Sequence, residues 1–264
     1  MSTPSRTNPL RRPLWLGTVA SILLMVSSWS SGAQRTRGGI VRMLNLDWIM
    51  YGHVKNIGFI LSWVALGLLL YCWCLWGRIV YHDNTPIRES IKTLVGWIVP
   101  LLFASPMYSR DVYSYLVQGA MVRDGFDPYR DGAAVNPGPM LLEVSPDWRN
   151  TTTPYGPLHL WIGDGITTLV GSNITIGVFL YKFISVAGYA AIAWAVVSIA
   201  RHIGGNPAVA LWLGVANPVV FLHLVGGMHN ESVMVAFSCL GLVLALRRHP
   251  LWGALFIGIG FSLK

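Results

Sequence analysis

Charge is what this sequence has least of. Only 11% of its 264 residues are Asp, Glu, Lys or Arg, against 53% hydrophobic residues and a mean hydropathy of +0.53. An ordinary water-soluble domain carries about 25% charged residues, so that class is excluded. Cysteine is nearly missing as well: there are three, and two of them, Cys72 and Cys74, lie in one apolar stretch. This leaves neither a disulfide framework nor a recognised metal spacing, and the cysteines read as packing residues. The apolar runs also lack the alternating polar positions of barrel strands. What remains is an all-α integral membrane protein, a multi-spanning helical bundle embedded in a lipid bilayer. The net charge of +8 does not indicate a nucleic-acid partner, because Arg11-Arg12 stands before the first apolar run as an orientation signal. That first run has no convincing small-residue cleavage site and reads as a retained span.

Runs near the length needed to cross ~30 Å of hydrocarbon occupy residues 14–31, 56–77, 92–106, 176–200, 208–225, 232–246 and 250–264, about seven spans in all. An eighth run, 157–171, holds Asp164, His159 and three glycines, which suits an external juxtamembrane helix better than a span. The Lys/Arg distribution agrees. With 157–171 outside the bilayer, nine basic residues (Arg6, Arg11, Arg12, Arg78, Arg88, Lys92, Arg201, Arg247 and Arg248) face the cytoplasm against eight outside. If it spanned, the tally would worsen to six against eleven. Three parts follow: amino-terminal membrane helices in 1–106, an external catalytic loop with juxtamembrane helices in 107–175, and further membrane helices in 176–264. The last segment stops inside an apolar run at Phe261-Ser262-Leu263-Lys264, which points to a truncated, amino-terminal portion.

The stretch 107–156 breaks sharply from its surroundings, with six of the eleven acidic residues and five of the fifteen prolines. Its opening predicts a helix. Ser109 suits an N-cap, and Asp111 suits the first turn through the helix dipole. Asp111, Ser114, Tyr115 and Gln118 then share a polar face toward a cleft. Val112, Leu116, Val117, Ala120 and Met121 form an apolar face able to rest on the bilayer. A carboxylate where the chain leaves the membrane is a functional-site hypothesis by default, so Asp111 is the leading catalytic candidate.

Three ordered motifs, Arg110-Asp111-Val112-Tyr113-Ser114-Tyr115, Asp124-Gly125-Phe126-Asp127-Pro128-Tyr129 and Thr153-Pro154-Tyr155-Gly156-Pro157-Leu158, resemble the polyprenol-phosphate-mannose-dependent α-1,6-mannosyltransferases of actinobacteria. Those enzymes belong to the glycosyltransferase C superfamily and extend the mannan core of lipomannan and lipoarabinomannan in the cell envelope. The resemblance implies an inverting mannosyltransferase in the cell membrane with its active site on the external face. Its partners would be a polyprenyl-phosphate mannose donor and a mannan glycolipid acceptor. It also implies that Asp111 is the catalytic base and that His229-Asn230-Glu231 belongs to a donor-proximal loop.

The residue chemistry suits that reaction. A carboxylate can take the acceptor's proton, and Arg110, His229, Asn230 and Lys264 are available to the leaving phosphate. Tyr113, Tyr115, Gln118, Tyr155 and His159, with Glu231, complete the expected substrate-binding set. Tyr129, Trp148 and Trp161 are further sugar-facing candidates, although the tryptophans read first as an interfacial aromatic belt. No cofactor is expected. A divalent cation held by Asp111, His229 and Glu231 is chemically allowed, but a lipid monophosphate donor lacks the diphosphate that usually recruits one. Two other readings stay open, a lipid-linked sugar transporter or flippase and an inactive truncated scaffold. The polar residues cluster in a loop and no internal repeat is visible, which favours the enzyme.

Overall fold

The computed structural model describes residues 8–83 and 85–264; Arg6, counted above among the inner charges, lies outside them. The described residues hold α-helices and no strand. In chain order they are α1 (Arg11–Ser31), α2 (Ile40–Met43), α3 (Gly52–His82), α4 (Ile87–Leu101), α5 (Asp111–Arg123), α6 (Pro139–Glu143), α7 (Pro157–Val170), α8 (Ile174–His202), α9 (Pro207–Gly214), α10 (Pro218–Phe221), α11 (Glu231–Leu246) and α12 (Pro250–Phe261).

Asparagine starts several of the later helices. Asn173 accepts the Ile176 N–H at 3.1 Å, Asn206 accepts from Ala208 and Val209, and Asn217 accepts from Val219. In the last two cases proline follows at the first helical position, where its missing N–H costs nothing. Asn217-Pro218 therefore restarts the helix instead of merely kinking it. The apolar run 208–225 is broken, with α9 and the segment Pro218–Gly226 meeting at 58°.

Among the described residues three helices, α1, α3 and α8, are long and apolar enough to cross a membrane, or four spans if the bent pair counts as one. This is fewer than the seven expected. Helices α4, α11 and α12 form where runs were foreseen, but their 15, 16 and 12 residues reach only about 18 to 24 Å at 1.5 Å per residue. Run 157–171 becomes α7, 14 residues long and too short to span. Ile57, Ile60, Trp63, Val64 and Tyr71 lie exposed along α3, as they would on a helix facing hydrocarbon.

Helix α1 packs on α3 and α4, α11 packs on α8 and α12, and α9 joins α3 to α8. Trp73 and Trp212 fasten α3 to α9 with reciprocal indole N–H bonds to each other's carbonyls, at 3.1 and 2.9 Å. Trp97 donates to the Pro13 carbonyl at 3.0 Å, and Arg201, His202 and Arg247 line one cavity. The starts of α1 and α4 and the ends of α3, α8 and α11 therefore share one end of the bundle. At the other end Ala33 bonds to Pro106, Met107 to Gly226, Gly156 to Leu263 and Leu158 to Ser262.

Helices α5 and α7 run parallel and close, and both pack on α8. A Cβ built on Gly119 would lie 2.2 Å from the Gly163 carbonyl carbon, so only glycine lets these backbones meet. Arg123 continues the register by donating to the Thr167 carbonyl at 3.0 Å. This corrects the expectation for α5. Its apolar face does not rest on the bilayer: Val112, Leu116, Val117, Ala120 and Met121 are buried with Met140, Val144, Ile166 and Ile174 in a protein core.

Asp111 and Arg248 thus belong to opposite ends of the bundle. In a background without the three cysteines, an impermeant maleimide should label a cysteine at Tyr108 from the side on which it fails to label one at Arg248. Labelling of both from one side would rule out the two-ended arrangement.

Candidate active site

The residue before Asp111 sets the site. Arg110 donates from Nε to the Glu143 carbonyl at 2.7 Å, from Nη1 to the Gln34 carbonyl at 3.0 Å and from Nη2 to the Glu143 carboxylate at 2.9 Å. Glu143, only 1% exposed, also accepts from the Thr36 and Arg37 main-chain N–H groups and the Thr36 hydroxyl. A buried carboxylate so compensated fixes segment 34–37, α6 and the start of α5 as one unit. The guanidinium stacks 4.7 Å from the centre of the Tyr113 ring, and the Tyr113 hydroxyl donates to the Ala33 carbonyl at 2.9 Å. Arg110 and Tyr113, both expected at the substrate, are placed here in the scaffold on the far side of α5.

Asp111 points the other way. Its N–H donates to the Ser109 hydroxyl at 3.0 Å, so the expected serine supports the first turn from one residue outside the helix. Its Oδ2 accepts from His229 Nδ1 at 3.2 Å. That bond leads the causes holding the Asp111 carboxyl below its ordinary range, burial opposing it and the Ser109 hydroxyl assisting. The pairing joins segments far apart in sequence, and the backbone explains how. Met107 N–H donates to the Gly226 carbonyl at 3.0 Å, and on either side of this bond Tyr108 (φ 63°) and Met228 (φ 57°) adopt left-handed conformations. Such conformations are uncommon for bulky residues and turn each chain sharply toward the other. The His229 ring lies over Gly227, where a Cβ would come within 2.5 Å of it.

His223, from the π-turn Leu222–Gly226, stacks on His229 with ring centroids 3.7 Å apart and planes 10° from parallel. One ligand atom each from His223, His229 and Glu231 lies within 4.8 Å of the others. Lys264 forms an ion pair with Glu231. His223 was not foreseen. The available signal was an ionisable residue inside an apolar run.

Beside this cluster stands an aromatic group. Tyr115 packs edge-on to Tyr155 at 5.1 Å and to His159 at 4.5 Å, and its hydroxyl accepts the Asn230 N–H at 3.4 Å. Burial pulls His159 down to about 4, so it is neutral at neutral pH, and pushes the Tyr115 phenol up. Gln118 accepts from the Thr153 hydroxyl at 3.1 Å, and the Asn230 amide donates to the Leu263 carbonyl at 2.8 Å. Tyr115, Gln118, His159 and Asn230 are all buried and support the site from below. Asp111, Tyr155, His223, His229, Glu231 and Lys264 retain open surface. Tyr129 bonds through its hydroxyl to the Tyr155 carbonyl at 3.0 Å, while Trp148 and Trp161 are exposed.

Comparison with known sequences matches residues 14–264 to the family described as alpha-(1->6)-mannopyranosyltransferase, N-terminal domain. The chain belongs to this family. Among its mannopyranosyltransferase relatives, a Corynebacterium glutamicum protein named alpha-(1->6)-mannopyranosyltransferase A is 54% identical over 250 residues, covering 92% of this chain and 51% of its own length. A Mycobacterium tuberculosis protein of the same name is 35% identical, covering 98% of this chain and 50% of its own length. The chain thus spans about half the length of the curated relatives it matches. No solved structure matches it.

Glu143 gives the site its first test. Replacing it with Ala leaves Arg110 facing carbonyls alone and the Thr36 and Arg37 donors without their acceptor; because the guanidinium is 26% exposed, the cost is below that of a fully buried pair, about 1–3 kcal/mol. A drop of that size is expected in the unfolding free energy of the detergent-purified protein. A loss below about 0.5 kcal/mol, the range of ordinary surface substitutions, would show that Glu143 does not hold the loop.

Proposed function

We propose that this chain carries the catalytic loop of an inverting mannosyltransferase that moves mannose from a polyprenyl phosphate to an α-1,6-mannan acceptor at the outer face of the cell membrane. The observation that carries the reading is the Asp111 carboxylate, part-exposed and aligned by His229 at the end of the bundle opposite Arg11, Arg88, Arg201 and Arg247. Family membership supports mannosyl transfer, and the external loop motifs support a lipid-phosphate donor.

In the proposed step the acceptor hydroxyl oxygen attacks the anomeric carbon and its proton passes to Asp111. With Oδ2 occupied by His229, Oδ1 is the oxygen available to take it. The bond from the anomeric carbon to the phosphate oxygen breaks, and polyprenyl phosphate leaves with the electron pair. Base and leaving group on opposite faces of the sugar invert the centre, so a β-linked mannosyl phosphate yields an α-linked product. A positioned carboxylate contributes about 10² to 10⁴-fold as a general base. His229, His223 and Lys264 lie on the side available to the departing phosphate, and Tyr155 offers an aromatic face to a sugar ring.

Asp111→Asn keeps shape and hydrogen-bonding reach but cannot take the proton. In the full-length protein, transfer from labelled polyprenyl-phosphate mannose to a short α-1,6-mannoside should fall about 10² to 10⁴-fold with expression unchanged. More than half of normal transfer would refute the base assignment. The Asn variants of Asp124, Asp127 and Asp131 are controls. Asp124 pairs with Arg123 and Asn136, and Asp127 accepts the Tyr129 N–H, so losses equal to that at Asp111 would report loop integrity instead.

A further inference from the structure

We infer that His223, His229 and Glu231 form a binding site for one divalent transition-metal ion. The argument begins with the tautomer of His229. Its Nδ1 lies 3.2 Å from Asp111 Oδ2, and an N–H directed at that carboxylate leaves Nε2 as the ring's lone pair. A carboxylate accepting the far N–H of an imidazole is the usual outer partner of a metal-ligating histidine, because it fixes the ring and raises its basicity. The parallel stacking of His223 on His229 brings a second imidazole alongside the first.

Glu231 completes the set. Its ligand oxygen and the ring nitrogens lie within 4.8 Å of one another, close enough for small movements to bring all three onto one ion. Lys264 occupies Oε1, while Oε2 is buried with no hydrogen-bond partner among the described residues, an expensive state for a carboxylate oxygen unless something else meets it. Two imidazoles and one carboxylate favour zinc, cobalt or manganese over magnesium or calcium, which prefer all-oxygen sites. Three protein ligands leave a coordination position open, and the mouth of the cluster faces the same end as Asp111. An ion there would present its free position to an anionic oxygen such as that of a lipid phosphate.

The site stands on geometry alone and does not require Asp111 to be the base. It is therefore tested without donor or acceptor, by titrating the full chain, purified in detergent with chelator removed, with Co²⁺ as the probe. One equivalent should bind with visible d–d absorption, and Zn²⁺ should displace it. His223→Ala is the primary variant because His223 is exposed and folding should not depend on it; it should weaken Co²⁺ at least tenfold. Glu231→Gln and His229→Ala should do the same, and Asp111→Asn should weaken it about 10 to 100-fold as an outer partner. His202→Ala, at the opposite end, should bind normally. Absence of stoichiometric Co²⁺ in the unmodified chain, or equal affinity in the His223 and Glu231 variants, would overturn the site. Loss of transfer in Asp111→Asn with no metal bound anywhere would leave the base assignment standing and remove only this inference.

Discussion

A carboxylate withdrawn almost wholly from water must be compensated on the spot, and the compensation of Glu143 organises everything that faces the cleft. Arg110, the Thr36 and Arg37 amides and the Thr36 hydroxyl converge on it, so a loop of many turns is tied to the ends of α1 and α4. Because Arg110 directly precedes α5, the ion pair also sets the rotation of that helix. With Arg110 and Tyr113 turned inward, Asp111 faces outward. The catalytic candidate is placed by its neighbour's charge.

Backbone strain makes the second half of the arrangement. Tyr108 and Met228 hold left-handed conformations that cost of order 1–3 kcal/mol each. Between them the Met107 to Gly226 bond holds two loops together, and Gly227 lets the His229 ring approach where a Cβ would collide. Strain of this kind persists only where packing enforces it. Here the enforcing core is the cluster around α5, which includes Met228 itself.

Much of this was legible in the sequence, and the exceptions have physical causes. The charge-poor runs, the acidic loop, the helix opening at Ser109 to Asp111 and the common end of Asp111 and His229 follow from hydropathy, capping and the distribution of Lys and Arg. Span number did not, because hydropathy marks apolar segments without fixing helix length: α4, α11 and α12 are shorter than a span, and Asn217-Pro218 breaks a further run. Arg110 and Tyr113 were grouped with Asp111 by adjacency, yet successive helical residues point about 100° apart, and only the tertiary fold reveals which way each turns. Asp111, Tyr155, His229, Glu231 and Lys264 lie together as grouped, whereas Tyr115, Gln118, His159 and Asn230 support them from beneath. His223 was hidden because its ring joins the site through a π-turn, a local departure with no strong sequence signature.

The bonds made by Ser262 and Leu263 have a consequence for how the molecule is built. Gly156, Leu158 and Asn230 all donate to carbonyls of these two residues, and Lys264 pairs with Glu231. During synthesis the acidic loop leaves the ribosome long before they do. Until α12 has folded onto α11, the loop and the start of α11 lack this latch, while the segments that hold Arg110 and Glu143 are already made. A nascent chain arrested before Ser262 would keep the ion pair that turns Asp111 outward and lose the tie between the acidic loop and the start of α11.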